Sequence, residues 1–191
     1  MEKYLFMKPV LQLISEGRFF RKATAIALRV LAIAIGFASL VGWIFNWKQV
    51  FGFTVTEMLG GIIFQLLLVI AVYMVIHAIW LRSDNIGRLP ESEYTVVPIV
   101  SICLKLVGEI YASYVAVMAI AEGLFTWFSG KGAVSLFQGL AFLIPHHEDS
   151  IVGGFSVILK GELYAFVGLV LFYFLSESVI VMVDIARNIK R

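Results

Sequence analysis

The sequence predicts an all-α, polytopic membrane protein: a bundle of four transmembrane helices with an amphipathic N-terminal segment. Three observations carry that prediction. Of 191 residues, 61% are hydrophobic and only 15% are charged, against about 45–50% and about 25% in soluble domains. The apolar residues fall into four long runs, each exceeding the ~20 residues that cross a hydrocarbon core of ~30 Å. Basic residues gather on one side of those runs, as the positive-inside rule requires.

Residues 1–22 form a basic, mixed segment. Pro9 suits the first turn of a short helix, and Val10, Leu13 and Ile14 share a face, which fits a helix lying on the membrane surface. A plain cytoplasmic tail reads equally well. The first span covers about 23–45 and contains one charge, Arg29. Trp43 and Trp47 mark its far end, where aromatic rings favour the headgroup level. No cleavable leader is expected, because this run outlasts the core of a signal peptide. The second span, about 58–81, has no charge.

A polar connection with Asp84, Arg88 and Pro90 leads to the third span, about 97–125, the most polar of the four. The segment 126–157 follows. Its apolar middle, Ala133 to Ile144, has 12 residues and ends at Pro145. That is too short to cross and predicts an interfacial or re-entrant helix. The fourth span covers about 163–183, with one acid, Glu177. The whole chain, 1–191, reads as one transmembrane domain.

Basic residues set the expected orientation. Ten flank the spans on one side (Lys3, Lys8, Arg18, Arg21, Lys22, Arg82, Arg88, Arg187, Lys190 and Arg191), and Lys48, Lys131 and Lys160 lie on the other. Both termini and the middle loop are therefore expected in the cytoplasm. With no organelle signal, the plasma (inner) membrane of a prokaryote is the expected location. The net charge of +2, with no basic cluster interleaved with aromatics, gives no reason to expect nucleic acid as a partner. Cys103 is the only cysteine, which excludes an internal disulfide and a multi-cysteine metal site.

Intramembrane charge is costly, at least ~2.5–3.5 kcal/mol near the bilayer centre, so such residues are the candidate site. Counting ~1.5 Å per residue from each span's midpoint, Arg29, His77, Lys105, Glu109 and Glu177 all fall ~3 to ~11 Å to the cytoplasmic side. All four spans thus contribute to one polar layer. Lys105 and Glu109, at i and i+4, are expected to pair. Matching depth and facing also suggest an Arg29–Glu177 pair. Ser101, Gly108, Ala112, Ala116, Ala119 and Gly123 line one face of the third span, where small residues allow close helix approach. This layer reads either as a structural lock or as an ion or proton path. Glu57, Glu122 and Glu162, near the outer boundary, are expected to be solvated.

Other chemistry is poorly supported. His146 and His147, beside Glu148 and Asp149, are weak metal candidates, because adjacent residues rarely converge on one ion. Only His77 lies at membrane depth, so one chain cannot ligate a haem with two histidines. Ser129-Gly130-Lys131-Gly132 lacks the spacing of a phosphate loop. No cofactor and no metal are expected, and no nucleophile motif appears. The leading expectation is a non-enzymatic accessory, anchoring or organising subunit of a membrane complex or homo-oligomer, with lipid and membrane proteins as partners. The alternative is a channel or transporter for a proton, ion or small charged solute working through Lys105, Glu109 and Glu177.

Overall fold

The computed structural model describes residues 18–90, 96–133 and 150–189. They form four long helices: α1 (Arg18–Val50), α2 (Val55–Gly87), α3 (Val96–Ser129) and α4 (Ile151–Ile189). All four are long and apolar enough to cross a membrane. The proposed surface helix before Arg18, the apolar stretch after Ala133, and His146 and His147 lie outside the described residues. The helices extend past the apolar runs at both ends. At ~1.5 Å per residue, α1 is ~50 Å long and α4 ~58 Å. α1 begins inside the segment expected to lie on the surface, and α4 starts 12 residues before the expected span.

Local chemistry explains these boundaries. The backbone N–H and hydroxyl of Thr54 both donate to Glu57 Oε2, at 3.0 and 2.8 Å. This back-reach from the third residue of α2 fixes where it starts. Lys131 Nζ reaches Glu57 Oε1 at 3.1 Å and ties the start of α2 to the chain leaving α3. Gly130 ends α3 in the left-handed region (φ 68°), with its N–H donating to the Thr126 carbonyl at 2.8 Å. Glycine enters that region without the Cβ penalty that other residues incur. Ser150 caps α4: its hydroxyl accepts the Gly153 N–H at 2.9 Å, and its carbonyl accepts that of Gly154. The serine thus satisfies a donor that the first turn would leave unpaired.

Only helices adjacent in sequence pack extensively: α1 on α2, α2 on α3 and α3 on α4. α3 is buried from two sides. One face meets α2 in a core of Phe64, Leu68, Ala71, Met118, Ala121 and Phe125, with the rings of Phe64 and Phe125 edge to face at 6.2 Å. The other face meets α4 through small residues. A Cβ on Gly108 would sit 2.7 Å from Phe172 Cβ, and one on Gly123 2.6 Å from the Ile158 side chain. Gly161 of α4 lies against Ala119 in the same way. α1 turns Ala25 and Ala32 toward α2. A second core of Ala32, Val75, Ile79 and Leu106 joins the first three helices.

The outward surfaces are apolar: Phe37 is 70% exposed and Phe174 64%. Soluble monomers rarely expose contiguous apolar surface on this scale. Replacing Gly161 with leucine forces α3 and α4 apart, and overpacking of this kind costs ~1–3 kcal/mol. Gly42 has nothing within 4 Å of a Cβ. Unfolding in detergent micelles should show Gly161→Leu with a clearly lowered midpoint and Gly42→Leu close to wild type.

Candidate functional site

A band of polar side chains joins all four helices. On α1, Arg29 Nη2 donates to Asp84 Oδ1 of α2 at 2.6 Å. Its guanidinium lies 5.7 Å from the Trp80 ring centroid, within cation–π range. On α2, Arg82 faces the other way and grips Glu109 of α3. Its Nε donates to Oε2 at 2.9 Å and its Nη2 to Oε1. The fork matches the two carboxylate oxygens, a fit that a lysine cannot reproduce. From α4, the Tyr173 hydroxyl donates to Glu109 Oε1 at 2.6 Å and accepts from Arg82 Nη2 at 3.2 Å. Glu109 therefore takes hydrogen bonds from both helices that flank its own.

The sequence places these helices so that the contacts are reachable. Arg82 and Asp84 are two residues apart on α2 and so project to different sides, toward α3 and α1. Between them Ser83 is fully buried and donates to the Ala25 carbonyl of α1 at 2.9 Å. One turn beyond the tyrosine, Ser176 meets Ser101 across the α3–α4 seam, hydroxyl to hydroxyl at 2.6 Å. Arg21 donates to the Leu89 carbonyl. Each tie supplies a partner to a group that would otherwise lie unpaired in apolar surroundings, where the penalty is severe.

The expected site residues divide. Arg29, Lys105 and Glu109 belong to this band, but two expected pairings differ. Glu109 is held by Arg82 rather than by Lys105, whose Nζ sits 5.2 Å from the Tyr173 ring centroid instead. Arg29 pairs with Asp84 and not with Glu177, because α1 and α4 occupy opposite edges of the row. Glu177 is exposed and has no ion-pair partner among the described residues. His77 stacks on Tyr73 of its own helix at 5.8 Å. It lines a cleft of about 750 Å³ between α2 and α4, floored by Ala112, Ser113 and Ala116 of α3. Arg82 and Glu109 border that cleft, as does Glu162.

The other half of the bundle holds polar groups of a different kind. Glu122, expected to be solvated, is fully buried. By helical position it lies between Met118, which packs toward α2, and Ala119, which packs against Gly161 of α4. Gln65 on α2 is also fully buried, with neither polar atom hydrogen-bonded among the described residues. Gln65 was visible in the sequence as the one amide in an uncharged apolar run. Arg82, Asp84 and Tyr173 were missed because they lie at span ends or carry no charge. Among the described residues no three His, Cys, Asp or Glu side chains converge as a metal site. Cys103 is a free, half-buried thiol.

Replacing Arg82 or Glu109 alone by glutamine leaves the other charge without its partner. Each change should destabilise the fold by ~1–3 kcal/mol, less than for a fully buried pair because both side chains keep some exposure. A double-mutant cycle in micelles should give a coupling of ~1 kcal/mol, with the double variant milder than the sum. Comparisons with known protein families, with curated proteins and with solved structures find no match to this chain.

Proposed function

We propose that this chain is a non-enzymatic integral membrane protein that serves as an anchoring or organising subunit of a membrane assembly. One observation carries the reading. Charges of the polar band are held by partners within the bundle: Arg82 and Glu109 by each other and by Tyr173, and Arg29 by Asp84. Groups held in mutual ion pairs stabilise helix association in lipid, where no hydrophobic force drives it. They are poorly placed to pass an ion along. The orientation that fits the basic flanks puts both termini and this band on the cytoplasmic side of a plasma membrane.

A second reading, a channel or transporter for a proton, ion or small charged solute, draws support from the cleft beside His77. There Glu109, Arg82 and Glu162 share one cavity with the His77 imidazole. Proteoliposomes separate the two. The subunit reading expects no proton or ion flux above empty vesicles at about pH 6 or about pH 8, on either side of the ordinary histidine range. Flux that falls when Glu109 is replaced by glutamine would instead establish the transport reading.

A further inference from the structure

The row of four helices has two free edges, and their charges are opposite. On α4 the face turned away from α3 carries Val170, Phe174, Glu177, Val181 and Asp184, all exposed. On α1 an exposed flank beside the α2 seam carries Lys22, Ile26, Arg29, Ile33 and Leu40. The α4 set follows the three- and four-residue steps of a helix–helix seam, and so does the α1 set apart from one two-turn step from Ile33 to Leu40. Among the described residues Glu177, Asp184 and Lys22 form no ion pair, although a carboxylate facing lipid is expensive.

The spacing on the two edges matches. Lys22 and Arg29 are seven residues apart, and so are Glu177 and Asp184, about two turns in each case. The two helices run antiparallel. Arg29 belongs to the same band as Tyr173, since Arg29–Asp84, Arg82–Glu109 and Glu109–Tyr173 contacts join them at one level. Glu177 lies one turn past Tyr173 toward the end of the bundle that holds Arg18, and Asp184 stands in the same relation to the level of Lys22. An antiparallel α1 of a neighbour would therefore bring Arg29 to Glu177 and Lys22 to Asp184 with the same one-turn offset, which long basic side chains span by snorkelling. Arg29 remains half exposed beside Asp84, and a guanidinium has five N–H donors, enough for a second carboxylate.

We infer that the occupant of this edge is a second copy of the chain, with α1 of one protomer packed on α4 of the next through Arg29–Glu177 and Lys22–Asp184 pairs. This rests on the membrane-subunit reading and names the partner. Like edges repel: α4 on α4 would oppose acids, and α1 on α1 would oppose bases. The contact is therefore head-to-tail, and copies sharing one membrane orientation repeat it from one protomer to the next. The Arg29–Glu177 pair expected from depth and facing forms between chains rather than within one.

The test uses two differently tagged full chains, both Cys103→Ala, one bearing Ile33→Cys and the other Val170→Cys, expressed together and mildly oxidised in the membrane. The expected result is a cross-linked heterodimer that Glu177→Lys diminishes about tenfold or more, with Glu177→Gln intermediate. Glu177 is exposed and forms no hydrogen bond or ion pair among the described residues, so the unfolding midpoint of the isolated chain should stay at the wild-type value in both variants. Absence of the cross-link, or a cross-link indifferent to Glu177→Lys, overturns the inference. A chain that co-purifies with other polypeptides but not with itself also overturns it, while leaving the subunit reading in place. A charge-sensitive cross-link in an oligomer that conducts ions upholds the interface and removes the subunit reading.

Discussion

Glu109 is the residue on which the arrangement turns, because it puts a carboxylate on the central helix of an apolar row. Nothing on α3 itself closes its hydrogen-bonding demand. Arg82 supplies two donors from α2, and Tyr173 supplies a third from α4. Meeting that demand requires α2 and α4 to stand at a fixed height and rotation against α3. The small residues on the seams follow from the same constraint. Gly108 and Gly161 let α4 come close enough for the tyrosine hydroxyl to reach the carboxylate. Packing and polar satisfaction are thus two expressions of one geometry, as expected where lipid supplies no hydrophobic drive for helices to associate.

The two halves of the bundle solve different problems. The half containing the band is organised by charge: Arg29 pairs with Asp84, and Glu109 is shared by Arg82 and Tyr173. The other half is organised by volume: Phe64, Met118 and Phe125 interlock, and the polar groups there, Gln65 and Glu122, are fully buried. Between them lies the α2–α4 cleft, which exists because α2 and α4 both pack on α3 and not on each other. The same sequential packing leaves α1 and α4 as free edges.

Much of this was legible in the sequence, and the missing parts have physical reasons. Hydropathy revealed the four helices, because a span needs a run of apolar residues whatever its partners. Spacing placed Gly108, Ala119 and Gly123 on one face of α3, and that face does meet α4. Helix ends were read short, because hydropathy registers lipid and not hydrogen bonding: Ser150 caps α4 well before the apolar run begins. Pairings were the least legible. A sequence shows that Lys105 and Glu109 are one turn apart, but not that a forked donor from another helix fits the carboxylate better. Depth and facing likewise matched Arg29 with Glu177, and only the order of helices shows that one chain cannot bring them together. Glu122 looked like a rim residue because its distance from the span end was known and its facing was not.

Native mass spectrometry of the protein extracted from its own membrane at native expression tests the central claim most directly. The account predicts an assembly containing more than one 21.3 kDa chain, held at fixed stoichiometry through gentle extraction into a lipid disc. A lone 21.3 kDa chain, stable and without partners under the same conditions, would contradict it.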